Sequence, residues 1–199
     1  MLIYSMNLSV DGFIADREGG IGWADPDEEL FRFHLGEVRE LGGYLLGRRL
    51  YETMLPWETD QSMRESDIGD PRAPVPAEAA AAFAEAWSAI PKVVFSRTLE
   101  SVEGNARLAE AALAEEAAAA LGRGERDVAV GGAGLAAAAL ELGLVEELRM
   151  FRHPVVLGGG TPFLPPVTED IRLDLIETTT IGSRVIFERY RRARGEARM

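Results

Sequence analysis

The chain has 199 residues, 47% of them hydrophobic, no cysteine, and a formal net charge of −12 at neutral pH. That length and apolar content suffice for one domain with a substantial core, and the absence of thiols excludes disulfides, thiolate catalysis and thiolate metal sites. The negative balance opposes nonspecific nucleic-acid binding, no apolar run reaches bilayer length, and the first residues lack a basic n-region and cleavage site, so a cytoplasmic protein without membrane or nucleic-acid partners is expected.

Leu2-Ile3-Tyr4 opens an apolar segment that runs through Leu8 and Val10 to the turn pair Asp11-Gly12, so a strand is expected to enter a loop ahead of Phe13-Ile14-Ala15. Residues 16–22 form a glycine-rich connection. Asp25-Pro26-Asp27-Glu28 reads as a helix start, with Asp25 as cap, Pro26 at the first helical position and Glu28 completing a capping box. Leu30, Phe31, His34, Leu35, Val38 and Leu41 follow at helical spacing and give that helix one apolar face. Gly42-Gly43 is read as its stop. Tyr44-Leu45-Leu46-Gly47 has the continuous apolar character of a strand covered on both sides, with Arg48-Arg49 at its C-terminal end. The proline- and charge-rich stretch 56–76 predicts a long irregular excursion, and an alanine-rich helix follows near 77–88.

Residues 91–95 predict a strand running into Ser96-Arg97-Thr98, with another short strand over 105–108 and an alanine-rich helix over 109–121. A strand over 127–130 then meets Gly131-Gly132-Ala133-Gly134, and a helix covers 135–142. Segments 147–151, 154–157, 173–179 and 185–190 read as strands, the last two antiparallel about Ile181-Gly182-Ser183. Residues 191–199 cluster arginines and read as a solvated tail after a domain over 1–190. Helices alternate with strands until the last quarter, where strands stand alone. That order predicts a three-layer α/β/α fold whose central mixed, mostly parallel sheet has an antiparallel C-terminal edge.

Three segments suit an anionic ligand. Gly131 to Gly134 lets backbone approach closely just where a helix N-terminus offers free N–H groups and a favourable dipole, although a ligand-free turn fits the same residues. It is neither the G-x-G-x-x-G fingerprint nor the phosphate loop ending in G-K-[ST]. Arg48 and Arg49 end one strand, and Ser96, Arg97 and Thr98 end another. Guanidinium forks and hydroxyls suit phosphate, and ligands of open α/β sheets collect at strand carboxyl ends. Together these groups could hold the adenosine 2′-phosphate of NADPH, although surface arginines and turn residues fit the same positions. The two histidines, His34 and His153, lack paired ligand spacing, so no metal site is expected.

In this order, SMNLSVDGFIA (5–15), LLGRRLYE (45–52), PKVVFSRTL (91–99), VAVGGAGL (128–135) and LVEELRMFRHPVVLGGGTPFL (144–164) resemble the motif series of the dihydrofolate reductase-like family, which includes the reductase domain of riboflavin biosynthesis. The resemblance implies an NADPH-dependent reductase of a small nitrogenous heterocycle, working as a homodimer. Its nearest named activity is 5-amino-6-(5-phosphoribosylamino)uracil reduction. Dihydrofolate reduction, or a noncatalytic nucleotide sensor on the same fold, is the alternative. It sets Arg48 and Arg49 toward the adenosine, Ser96, Arg97 and Thr98 at the 2′-phosphate, and Gly131, Gly132, Ala133 and Gly134 at the diphosphate. Asn7, Asp11 and Trp23 become the substrate-side candidates. Among the acids Asp27, Glu28 and Glu29, Asp27 is the candidate to hydrogen-bond the heterocycle and assist its protonation, while the same acids also favour a helix N-terminus. Two positions depart from the family pattern. Leu50 stands where members commonly have threonine, and Ser5 where the riboflavin reductases carry lysine.

Overall fold

In a computed structural model, which describes residues 1–65, 75–182 and 184–193, the chain begins with β1 (Leu2–Ser9), turns at Gly12 and continues into the short β2 (Phe13–Ala15). A 3-10 turn over Gly22–Ala24 precedes α1 (Glu28–Glu40). Then come β3 (Leu41–Gly47), α2 (Arg48–Met54), the short α3 (Pro56–Thr59) and α4 (Ser62–Glu65), and α5 (Ala77–Ala89). The remainder is β4 (Lys92–Phe95), β5 (Ala106–Leu108), α6 (Leu113–Leu121), β6 (Asp127–Gly131), α7 (Ala133–Glu141), β7 (Glu147–His153), β8 (Thr161–Pro162), β9 (Leu173–Ile181) and β10 (Val185–Arg192).

Eight strands form one sheet in the order β5-β4-β3-β6-β1-β7-β10-β9, parallel throughout except that β10 runs antiparallel to both neighbours. Side-chain alternation divides the core between two faces. Leu2, Tyr4, Leu45, Val93, Val128 and Val130 pack against α6 and α7, while Ile3, Leu46, Val94 and Ala129 pack against α1 and α5. The predicted three-layer architecture with a mixed sheet and antiparallel edge is therefore what the chain builds. Among the described residues, no helix is long and apolar enough to cross a membrane.

Local boundaries depart from the sequence expectations for identifiable reasons. The 3-10 turn ends at Asp25, so α1 starts two residues later than expected, and Asp27, in extended backbone, becomes its cap by accepting from the Leu30 N–H at 2.9 Å. Gly42 and Gly43 lie inside β3 rather than stopping the helix; a Cβ on Gly42 would come within 2.9 Å of Arg126 Cβ. α2 precedes the expected irregular stretch, α3 and α4 lie within it, and residues 66–74 of that stretch lie outside the described residues. The buried Lys92–Glu58 ion pair, 2.9 Å, fastens α3 to the start of β4.

The helix expected from 109 begins only at Leu113, because Glu116 turns back to accept from the N–H groups of Glu110 and Ala111 and pairs with Arg107. Those contacts, Arg107's foremost, hold the Glu116 carboxyl down at about 2. Residues 154–157 are a loop, not a strand: Asp11 takes the N–H groups of Leu157 and Gly158 at 3.1 and 2.7 Å, so they join no ladder. The tail expected from 191 is still strand through Arg192, and residues 194–199 lie outside the described residues.

Candidate functional site

β4, β3 and β6 are neighbours in the sheet and parallel, so the three segments singled out for anion binding end side by side. Gly47 and the glycine turn approach closely. A Cβ on Gly47 would lie 3.6 Å from Gly131 O and 3.9 Å from Gly132 Cα, and Gly132 caps α7 at φ +94°, a conformation that favours glycine. A Cβ on Gly134 would meet nothing within 4 Å, so the first turn of α7 is open at that residue, and the leading N–H groups of a helix have no partner within it.

Arg48 donates to Thr98 Oγ1 at 2.6 Å and to Glu52 at 2.7 Å, which binds the first turn of α2 to the turn after β4. Ser96 Oγ accepts from the N–H groups of Thr98 and Leu99 at 3.2 and 3.0 Å and so shapes that turn. The guanidinium groups of Arg49 and Arg97 make no hydrogen bond or ion pair among the described residues, and both residues are exposed. Guanidinium forks, hydroxyls and helix-terminal amides on one rim are the donor set that a phosphate-bearing dinucleotide requires, so these residues fit NADPH. Leu50 packs onto the turn; a Cβ on Gly131 would collide with its Cδ2.

Leu50 is also the link to a cavity of about 310 Å³ between β1 and α1. From β1 it receives Ser5, Met6 and Asn7, and from α1 Phe31, His34, Glu37 and Val38, which recur at one-turn spacing. Phe31, Trp57 and Phe83 form an aromatic cluster with centroids 4.7–5.7 Å apart, and Trp87 packs beyond Phe83. Arg149, the cavity's cation, is buried and committed: it bonds Glu37 at 2.7 Å and Glu147 at 2.9 Å. Glu147 is fully buried and also takes Arg189 at 2.9 Å and Arg191 at 3.0 Å from β10, whose register sets those residues opposite Arg149 and Glu147.

Burial raises the Glu37 carboxyl, with the Arg149 bond offsetting part of the rise. Burial alone would lower Arg149, but the bonds and charges of Glu37 and Glu147 more than reverse it. His34 is driven down to about 4, first by burial and then by His153. Two residues that line the cavity, His34 and Trp87, each carry a ring nitrogen, Nε2 and Nε1, that is buried from solvent without a hydrogen-bond partner among the described residues.

Of the substrate-side candidates, the structure brings Asn7 to the cavity, where its Oδ1 lies 2.8 Å from His153 Nε2. Trp23 stands behind that pair, edge-on to His153 at 5.6 Å, off the cavity wall. Asp11 accepts from Ser9, Leu157 and Gly158 and shapes a loop instead of lining the cavity. Asp27, the expected proton-assisting acid, is likewise off the wall: one oxygen caps α1 and the other faces Gly182. Two acids do line the cavity, the exposed Asp25 and, on α1, the half-buried Glu37. Glu37 and Arg149 escaped the sequence reading; the available signal was a carboxylate one turn after His34, on the apolar stripe of a helix.

Residues 1–187 match the RibD C-terminal domain family. The chain is 28% identical over 194 residues to the uncharacterized protein YyaP of Bacillus subtilis (strain 168), covering 93% of this chain and 91% of that one. Among solved structures it resembles a Shewanella sp. PV-4 protein named for riboflavin biosynthesis, with TM-score 0.74, 21% identity, and 97% and 99% of the two chains covered. It also resembles dihydrofolate reductase from Enterococcus faecalis, complexed with NADP(H) and RAB-propyl, with TM-score 0.62, 16% identity and 96% of each chain covered. The glycine turn, the strand-end arginines and the cavity beside β1 thus sit on a shared reductase-like fold, and the chain belongs to the RibD C-terminal domain family.

Proposed function

We propose that the chain is an NADPH-dependent reductase of a small, flat nitrogenous heterocycle, with 5-amino-6-(5-phosphoribosylamino)uracil reduction its nearest named activity. The observation that carries this reading is the junction at Leu50, which packs on the glycine turn of the phosphate-suited rim and lines the aromatic cavity on its other side. Cofactor and ring would therefore meet across β1 at Met6 and Asn7.

In this reading Arg97, Ser96 and Thr98 hold the 2′-phosphate, Arg48 and Arg49 face the adenosine end, and the amides of Gly131 to Gly134 hold the diphosphate. When bound, NADPH supplies the hydride. The chain's own residues orient the ring between aromatic side chains, exclude water, and present Glu37 as an acid facing it. Ser5 stands on the cavity wall where the riboflavin reductases carry lysine, and Arg149 is already paired twice. The cavity is consequently built to grip the ring of such a substrate more than its phosphate.

Following NADPH absorbance with the riboflavin intermediate, dihydrofolate and a wider heterocycle panel tests the reading. Oxidation with the pyrimidine supports it, oxidation confined to dihydrofolate moves the activity to pterin reduction, and no oxidation with any compound overturns it in favour of a noncatalytic sensor.

A further inference from the structure

Ser5 and Asn7 stand two residues apart on β1, so their side chains leave the same face of the strand, the one on which Ile3 packs against α1 and α5. Both line the cavity and both are half-buried. Two residues of extended strand set their Cα atoms roughly 7 Å apart. In register beside them on β7 are Arg149 and Phe151, which line the same cavity. The lining also carries the aromatic rings of Phe31, Trp57 and Phe83 and the charges of Asp25, Glu37 and Arg149, of which Glu37 and Arg149 neutralise each other.

Asn7 has a fixed polarity. Its Oδ1 stands 2.8 Å from His153 Nε2, and an amide oxygen only accepts, so the imidazole carries its proton on Nε2 and donates. His153 is itself buried; burial first, then Arg184, hold it down at about 4 while Asp27 pulls partly back, which leaves the ring neutral near pH 7. With Oδ1 committed, Asn7 has Nδ2 left, and an amide nitrogen only donates. Nδ2 and the Ser5 hydroxyl make no hydrogen bond among the described residues, yet neither atom is among those sealed from solvent. A hydroxyl donates or accepts as its partner requires. The β1 wall thus offers the cavity one donor whose direction is set and one group that adapts.

We infer that Asn7, held by His153, reads a ring carbonyl: the heterocycle is a lactam whose C=O accepts from Asn7 Nδ2 while a neighbouring ring N–H or second carbonyl meets Ser5 Oγ. The inference rests on the reductase reading for placing a heterocycle in this cavity. It separates oxo from amino rings, because an amino group at Asn7 would set donor against donor and leave both unpaired. His153 acts through Asn7 and is a positioning residue.

The test uses the full chain without NADPH and three probes: 5-amino-6-(ribosylamino)uracil and its two analogues with an amino group in place of the C2 or the C4 oxygen. Wild type should bind the dioxo probe roughly tenfold more tightly than at least one analogue, since that replacement leaves a desolvated donor unmatched. Asn7→Asp keeps the size of the side chain and still accepts from His153, but it turns the free donor into an acceptor, so it should reverse that order. Ser5→Ala should weaken the dioxo probe by a few-fold and keep the order. His153→Leu releases Asn7 to present either end, so the preference should shrink toward parity, a change that lost packing alone would not produce. NADPH affinity, which depends on the distant rim, reports that each variant is folded and should stay within about twofold of wild type.

Wild type that binds both analogues at least as tightly as the dioxo probe, an order that Asn7→Asp leaves as it was, a loss that falls on NADPH instead of the probes, or binding of none of the three overturns the inference. A preference that survives in His153→Leu overturns the positioning role. The two readings fail separately. Oxidation of NADPH by a heterocycle at equal rates in wild type and Asn7→Asp counts against the inference alone, whereas a probe order reversed by Asn7→Asp, with no compound oxidising NADPH, counts against the reductase assignment alone.

Discussion

The strand-end rim and the cavity meet at a single side chain, Leu50, yet they treat charge in opposite ways. On the rim, Arg49 and Arg97 are exposed and make no ion pair among the described residues, so their guanidinium groups stay hydrated until an anion arrives. In the cavity, Arg149 is buried and held by two carboxylates, one of which, Glu147, is shared with two further arginines. A solvated cation costs nothing to leave unpaired, whereas a buried one must be neutralised. The rim can therefore select a ligand by charge, and the cavity must select by shape and hydrogen bonding.

The largest effect comes from breaking the buried pairing. Glu147→Ala leaves Arg149 one carboxylate short and deprives Arg189 and Arg191 of their shared partner. With Arg189 and Arg191 partly solvated, most of the cost falls on Arg149, and stability should drop by about 3 kcal/mol, read as a lower urea midpoint. A midpoint within experimental error of wild type would mean that the network is no more than surface charge.

A pH series sharpens the same contrast. Burial lowers both histidines from 6.5 to about 4, helped by His153 in the case of His34 and by Arg184 in the case of His153, where Asp27 pulls partly back. Between those values the unfolded chain binds more protons than the folded one. Stability is thus complete above pH 6.5 and declines as the pH falls toward 4. For His34 alone the span corresponds to roughly 3 kcal/mol. Urea midpoints at neutral and acid pH should show this slope, reduced in His34→Phe, and a slope that the variant leaves untouched would show that His34 is not the buried group titrating.

Legibility in the sequence divides along the same line. The rim was readable because its geometry is local: glycines at 131, 132 and 134 between an apolar strand and an alanine-rich helix, and arginines directly after another strand, declare their positions within a few residues. The cavity was not, because its pairings are long-range. Arg149 was visible only as a strand residue; its partner Glu37 lies on α1, and the arginines that share Glu147 come from β10. Asp27, the expected substrate acid, caps α1 because Asp25 and Asp27 are equally good caps, and only the 3-10 turn over Gly22–Ala24 decides between them. The apolar run at 154–157 looked like a strand until Asp11, distant in sequence, claimed the amides at its end.

The most direct test of the rim's role is titration of wild type and Arg97→Ala with NADPH and NADH, followed by nicotinamide fluorescence. A rim that reads the 2′-phosphate predicts a preference for NADPH of about tenfold or more in the wild type, lost in Arg97→Ala through weaker NADPH binding alone, with NADH affinity unchanged. Equal affinity of the wild type for the two cofactors, or selectivity that survives the loss of Arg97, would contradict it.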